Sequence, residues 1–153
     1  LWKTMGEFND ANIARVYQQD EVKVELLIVA LIEGQFRILS LDEHGPRDHP
    51  YFGAIGTGQD SAMSSLRWRS PTDFTDMHAA IYFAYEAKRM GEVSPYVGKL
   101  RTYINVLKPV DDYGILCGVV TGDGIVELGK AFRLFGPQSF NPQWRLSKDS
   151  LVL

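Results

Sequence analysis

"YFGAIGTGQDSAMSSL", residues 51–66, carries an apolar, strand-like stretch into a Gly-Thr-Gly turn and then into a helical pattern. The fold turns on what that corner is for: a cradle for phosphate, the floor of a hydrolase site, or a tight bend. A dinucleotide fingerprint requires a third glycine three positions beyond Gly58, where Ser61 stands, and a Walker loop requires Lys-Ser or Lys-Thr where Gln59-Asp60 stands. Asp60 would also set a negative charge in the first helical turn, where backbone amides would otherwise receive an anion. Nucleotide binding is therefore set aside.

Working back from the corner, "VKVELLIVALIE" and "QFRILSLD" flank Glu33-Gly34 and read as a β-hairpin closed by "DEHG". The near-continuous apolar run of the first strand predicts burial on both faces and a central place in its sheet. "FRILSL" alternates, with Phe36, Ile38 and Ser40 on one side and Arg37, Leu39 and Leu41 on the other. "YFGAIG" is expected as a third strand, with "DEHGPRDHP" a polar loop before it. Further upstream, "LWKTMGEFNDANIARVYQQ" can place Trp2, Met5, Phe8, Ile13, Val16 and Tyr17 on one helical face. A chain that opens at Leu1 within such a pattern is expected to be a fragment or a processed product.

Working forward, a short helix is expected from Gln59 to about Arg67, with Asp60 complementing the helix dipole. "SPTDFTDMHAAIYFAYEAKRMG" is a well-punctuated second helix, apolar through Phe74, Met77, Ala80, Ile81, Ala84, Tyr85 and Ala87. "RTYINVLK" and "YGILCGVVT" read as strands, and "GIVELGKAFRLFG" as a final helix closed by Gly136 before a tail containing Pro and Asn. The order of elements is α+β, not a strict βαβ alternation. No linker, repeat or low-complexity tract divides residues 1–153, which read as one domain or part of one.

Composition narrows the partners. With 45% apolar and 12% aromatic residues and a formal net charge of −3, the chain has material for a core. It lacks the basic footprint of a nucleic-acid binder or a polybasic membrane segment. "VELLIVALI" is far too short to span a bilayer and no signal sequence opens the chain, so a cytoplasmic protein is expected. Cys117 in "GILCGVV" reads as inert apolar filling, and His44, His49 and His78 form no metal signature, so neither metal nor cofactor is expected.

Taken together, "ELLIVALIEGQFRILSLDEHG", "AIGTGQDSAMSSL" and "AAIYFAYEAKRMGEVSPYVGKLRTYINVL" resemble the second half of a proteasome β-type subunit or a bacterial relative among the N-terminal-nucleophile hydrolases. The resemblance covers about residues 20–110. It implies a four-layer αββα sandwich, incomplete in this chain, and amide hydrolysis by the first residue of a mature chain, whose α-amino group is the base. Leu1 departs from that pattern, so the nucleophile and the family's leading strands would lie outside this chain, and no catalytic residue is expected within it.

Carried over, the resemblance places Thr57 at the serine of the Gly-Ser-Gly loop, between Gly56 and Gly58, with Gly58 permitting close backbone approach. Its late acid-and-serine loop falls in "GEVSPYVG", where Glu92 and Ser94 are the polar candidates. The expected partners are an upstream half or neighbouring subunits in a homo-oligomer, with a peptide or amide as substrate. Two alternatives stay open. One is a non-catalytic structural subunit of the same fold. The other is an unrelated α+β binding domain that uses "DEHGPRDHP" or the region near Trp144.

Overall fold

The computed structural model describes residues 25–72, 75–98, 101–110, 114–137 and 139–153. The helical pattern expected at the amino terminus and the Phe74 position lie outside these residues. The fold is α+β: among the described residues three α-helices accompany two antiparallel sheets of three strands each.

In the first sheet, β1 (Leu26–Ile32), β2 (Gln35–Asp42) and β3 (Gly45–His49) lie in sequence order, with Ile32 opposite Gln35 and Asp42 opposite Gly45. The first turn is set by Glu33 at φ 52° and Gly34 at φ 75°. Positive φ at both central residues is the type I′ pattern, whose twist matches the strands it joins.

Two expectations are corrected here. The third strand is Gly45–His49, not "YFGAIG", because the turn at Glu43-His44 folds the polar segment straight back along β2. Residues 51–56 leave the sheet after Pro50 and pass over its face, where a β-carbon on Gly53 would lie 2.9 Å from Leu27 Cδ1 and 3.5 Å from Ile38 Cγ2. Among the described strands the central one is β2, and β1 stands at an edge of the sheet with Leu26 and Val29 exposed.

Helices α1 (Gln59–Arg69) and α2 (Met77–Gly91) pack as a pair through Ala62, Leu66 and Ala87. Asp76 caps α2 by accepting from the amides of His78 and Ala79 at 3.0 and 3.3 Å, which fixes the helix start well after Ser70. The remaining strands, β4 (Asn105–Pro109), β5 (Ile115–Val120) and the short β6 (Leu151–Val152), form the second sheet in that order. Helix α3 (Gly122–Phe135) follows β5, capped by Thr121 Oγ1 accepting from Gly124 N at 3.2 Å.

The larger core cluster joins α2 to α3 and β5 through Ile81, Tyr82, Tyr85, Val120, Leu128 and Ala131. Tyr82 is fully buried, stacked on Phe140 at 4.7 Å and edge-on to Trp144 at 5.7 Å, so Phe140, Trp144 and Leu146 bring the tail against the core. Cys117 is exposed on β5, contrary to the reading of it as buried filling: it alternates with Gly118 and Val120, which face inward. Among the described residues no helix is long and apolar enough to cross a membrane.

Candidate functional site

The Gly-Thr-Gly corner is built around a backbone contact. A β-carbon on Gly58 would lie 2.6 Å from the carbonyl oxygen of Gly91 and 3.0 Å from its Cα, so the start of α1 rests directly on the end of α2. Gly58 has φ −96°, an ordinary value, and glycine is required there for space alone. Gly56 has φ +91° with open space around it. Its carbonyl accepts from Gln59 N at 3.0 Å, and its amide donates to Glu25 Oε2 at 3.2 Å, tying the corner to the entry of β1.

Beside the corner lies an open groove of about 640 Å³ between residues 51–58 and the helix pair. Its walls are mostly apolar, including Phe52, Ile55, Ala80, Ala84 and Tyr96, and Thr57 stands exposed at its margin. The small side chains of Ala80 and Ala84 keep it open along α2. Lys88 is the one charged side chain among its described lining residues. Burial, reinforced by the neighbouring charge of Arg89, pushes the Lys88 ammonium below its ordinary value even though it contacts the Glu92 carboxylate.

The structure separates the five expected site residues into two groups. Gly56, Thr57 and Gly58 line the groove; Glu92 and Ser94 do not. Glu92 is buried at the end of α2, where its carboxylate pairs with Lys88 and with Arg89 Nη1 at 2.5 Å. Those two cations offset an acid placed at the negative end of a helix dipole. Ser94 belongs to the turns that follow, its amide donating to Gly91 O at 3.1 Å and its carbonyl accepting from Val97 N at 3.2 Å.

Three polar arrangements escaped the sequence. Ser40 Oγ and His49 Nε2 are 2.8 Å apart on the sheet face that Gly53 approaches, a pairing hidden by reading His49 as loop. Ser40 is buried, which suits a structural hydrogen bond better than a nucleophile. Glu86, fully buried, accepts from Ser65 Oγ at 2.9 Å and from Arg69 Nε and Nη2 at 2.9 and 2.7 Å. Arg69 also donates to Gly136 O at 3.2 Å and lies 5.5 Å from the Phe83 ring centre, so this pair joins both helices to the end of α3. Burial, with the nearby Glu86 charge, pushes the Tyr82 phenol up to about 12. The lone acid in "AAIYFAYEAKRMG" was the available signal for Glu86. The third is Glu127, which accepts from Ser147 N at 3.0 Å, Ser147 Oγ at 2.6 Å and Ser150 Oγ at 2.9 Å, holding its carboxylate below the usual range.

Among the described residues no three His, Cys, Asp or Glu side chains gather as metal ligands. No protein-family profile, curated protein or solved structure matches the chain. Chemically, the groove offers apolar walls and a hydroxyl beside close-packed backbone. Its described lining residues include no nucleophile already paired with a base.

Proposed function

We propose that this chain is the downstream portion of an N-terminal-nucleophile amide hydrolase of the proteasome type, acting on peptide or amide bonds. In that reading residues 56–58 form one wall of the active-site cleft, and the nucleophile comes from an upstream segment that is not in this chain. The observation that carries it is the corner itself: Thr57 exposed at the margin of an apolar groove, with Gly58 packed on the backbone of Gly91. The hairpin before it and the antiparallel helix pair after it follow the order that the resemblance implies. The four-layer sandwich belongs to the same proposal, with neighbouring subunits or an upstream half completing it.

The buried clamp on Glu92 favours a second reading, a non-catalytic subunit of the same architecture, because the acid expected beside the cleft is instead consumed by Lys88 and Arg89. The test is to treat the native protein with a peptide epoxyketone, which condenses with a terminal α-amine and its adjacent hydroxyl, and to map the adduct by mass spectrometry. An adduct on an amino-terminal Thr or Ser, accompanied by peptide turnover that the reagent abolishes, is expected. A mature terminus lacking Thr, Ser and Cys, with no turnover, would leave the non-catalytic reading. Turnover by residues 1–153 alone, lost on Thr57→Ala or Cys117→Ala, would overturn both.

A further inference from the structure

The groove beside the Gly-Thr-Gly corner has two unlike ends. Helices α1 and α2 run antiparallel along it, with Gly58 resting on Gly91 at one end. Polar side chains gather at that end: Thr57 and Gln59 flank Gly58, and Lys88 lies about one turn of α2 before Gly91. Away from it the helices supply Leu66, Phe83, Ala84 and Ala80, and Pro71 follows α1. None of these side chains carries a polar group, so an alkyl chain laid along them leaves no donor or acceptor unpaired. From Lys88 back to Ala80 α2 rises about 12 Å, the reach of an extended chain of about ten carbons. The groove volume of about 640 Å³ lies in the range of small-molecule sites, which join mostly apolar walls to a few placed polar groups.

The charges at the polar end decide the sign of the head group. Among the described lining residues there is no carboxylate, and Lys88 brings the one formal charge. The Glu92 carboxylate pairs with both Lys88 and Arg89, so these three side chains together keep a surplus positive charge. The carbonyls that end α2 do not draw on it: those of Lys88, Met90 and Gly91 accept from the amides of Glu92, Val93 and Ser94 at 3.1, 3.2 and 3.1 Å. Burial already holds the Lys88 ammonium below its ordinary value, so an anion beside it supplies the counter-charge that water there does not.

We propose that the groove binds a single-chain amphipathic carboxylate, a fatty acid of about ten carbons, with its head group at Lys88 and its alkyl chain running along α2 toward Ala80. The surplus positive charge takes a monoanion, and the apolar stretch takes the chain. Ala80 and Ala84 are both exposed, and their short side chains leave the room that the chain occupies. The inference stands apart from the hydrolase reading, because binding needs no nucleophile.

The test is isothermal titration calorimetry of the protein with decanoate, decanol and decyltrimethylammonium, each kept free of micelles. Decanoate is expected to bind about tenfold or more tighter than decanol, and the cation to give no heat of binding. Lys88→Met should weaken decanoate about tenfold and leave decanol unchanged. Should that variant fail to fold, Ala84→Trp, at an exposed position, fills the groove and should abolish binding of both. No uptake of decanoate by the wild-type protein, as when another segment of this chain already fills the groove, overturns the proposal. So does decanol binding as tightly as decanoate, the behaviour of a plain apolar docking surface, or a decanoate affinity that neither Lys88→Met nor Ala84→Trp moves.

Discussion

Replacing Gly58 by Ala tests the contact on which the groove is built. The added methyl would lie 2.6 Å from Gly91 O, 2.9 Å from Val97 Cγ2 and 3.0 Å from Gly91 Cα, whereas ordinary contacts begin near 3.4 Å. The valine methyl can turn away; the Gly91 backbone, at the last turn of α2, cannot. Relief therefore requires α1 and α2 to separate by about 0.8 Å, enough to loosen the packing of Ala62, Leu66 and Ala87 and to stretch the 2.9 Å bond from Ser65 to Glu86. Overpacking of this kind costs about 2–3 kcal/mol, with no conformational penalty added because φ is already negative. For a domain of this size that is a fall of roughly 4–10 °C in Tm. Gly91→Ala is the control: its methyl would meet Gly58 O at 3.3 Å, a shortfall of a tenth of an ångström, and should cost less than half as much. Urea unfolding at equilibrium reads both. A Gly58→Ala protein within about 0.5 kcal/mol of wild type, or a larger loss for Gly91→Ala, would refute the account of the corner.

Arg69→Met leaves the fully buried Glu86 carboxylate without its cation and should cost about 3–5 kcal/mol by urea unfolding, most of it recovered when Glu86→Met is added. Glu92→Gln should cost less, about 1–2 kcal/mol, because Lys88 and Arg89 remain partly in water, and it should leave epoxyketone labelling of the native protein unchanged if Glu92 only clamps the helix end. The Glu127 carboxyl is held below its ordinary value of about 4.5, so its stabilising contribution is present above that value and is lost as pH falls through the lower folded value. Glu127→Gln should accordingly flatten the decline of stability on acidification, and an unchanged slope would show that the bonds from Ser147 and Ser150 do not favour the ionised form.

Helices α1, α2 and α3 were legible because their boundaries are written in local chemistry: Asp76 and Thr121 as caps, basic residues in the last turns, Gly136 at the close of α3. The hairpin was legible from Glu33-Gly34. What failed was the reading of polarity as loop. "GPRDH" pairs with β2 over its whole length because an edge strand needs only one apolar neighbour and can show water its charges, whereas "YFGAIG", the more strand-like string, lies over the sheet instead of within it. Of the candidate site, only the glycine corner was readable, since close approach of backbones demands glycine wherever the partner lies. The buried Arg69–Glu86 pair and the Ser40–His49 bond depend on tertiary placement, which no spacing encodes.

The misread strand and its place at an edge are connected. An apolar run such as "LLIVALI" reads as central because a strand buried on both faces has that composition, and its flanks contain nothing to contradict it. The structure assigns the central place to β2, whose Leu39, Ser40 and Leu41 are consecutively buried, and leaves the more apolar strand at the margin. Apolar sequence in a central strand and apolar sequence at an edge differ in consequence: the first is paired on both sides, the second has backbone donors and acceptors that no other described strand meets. The sheet spends proline and paired charges on the β3 edge and none on β1. That asymmetry is why the run misleads: β1 carries the composition of an interior strand, while among the described strands only β2 pairs with it.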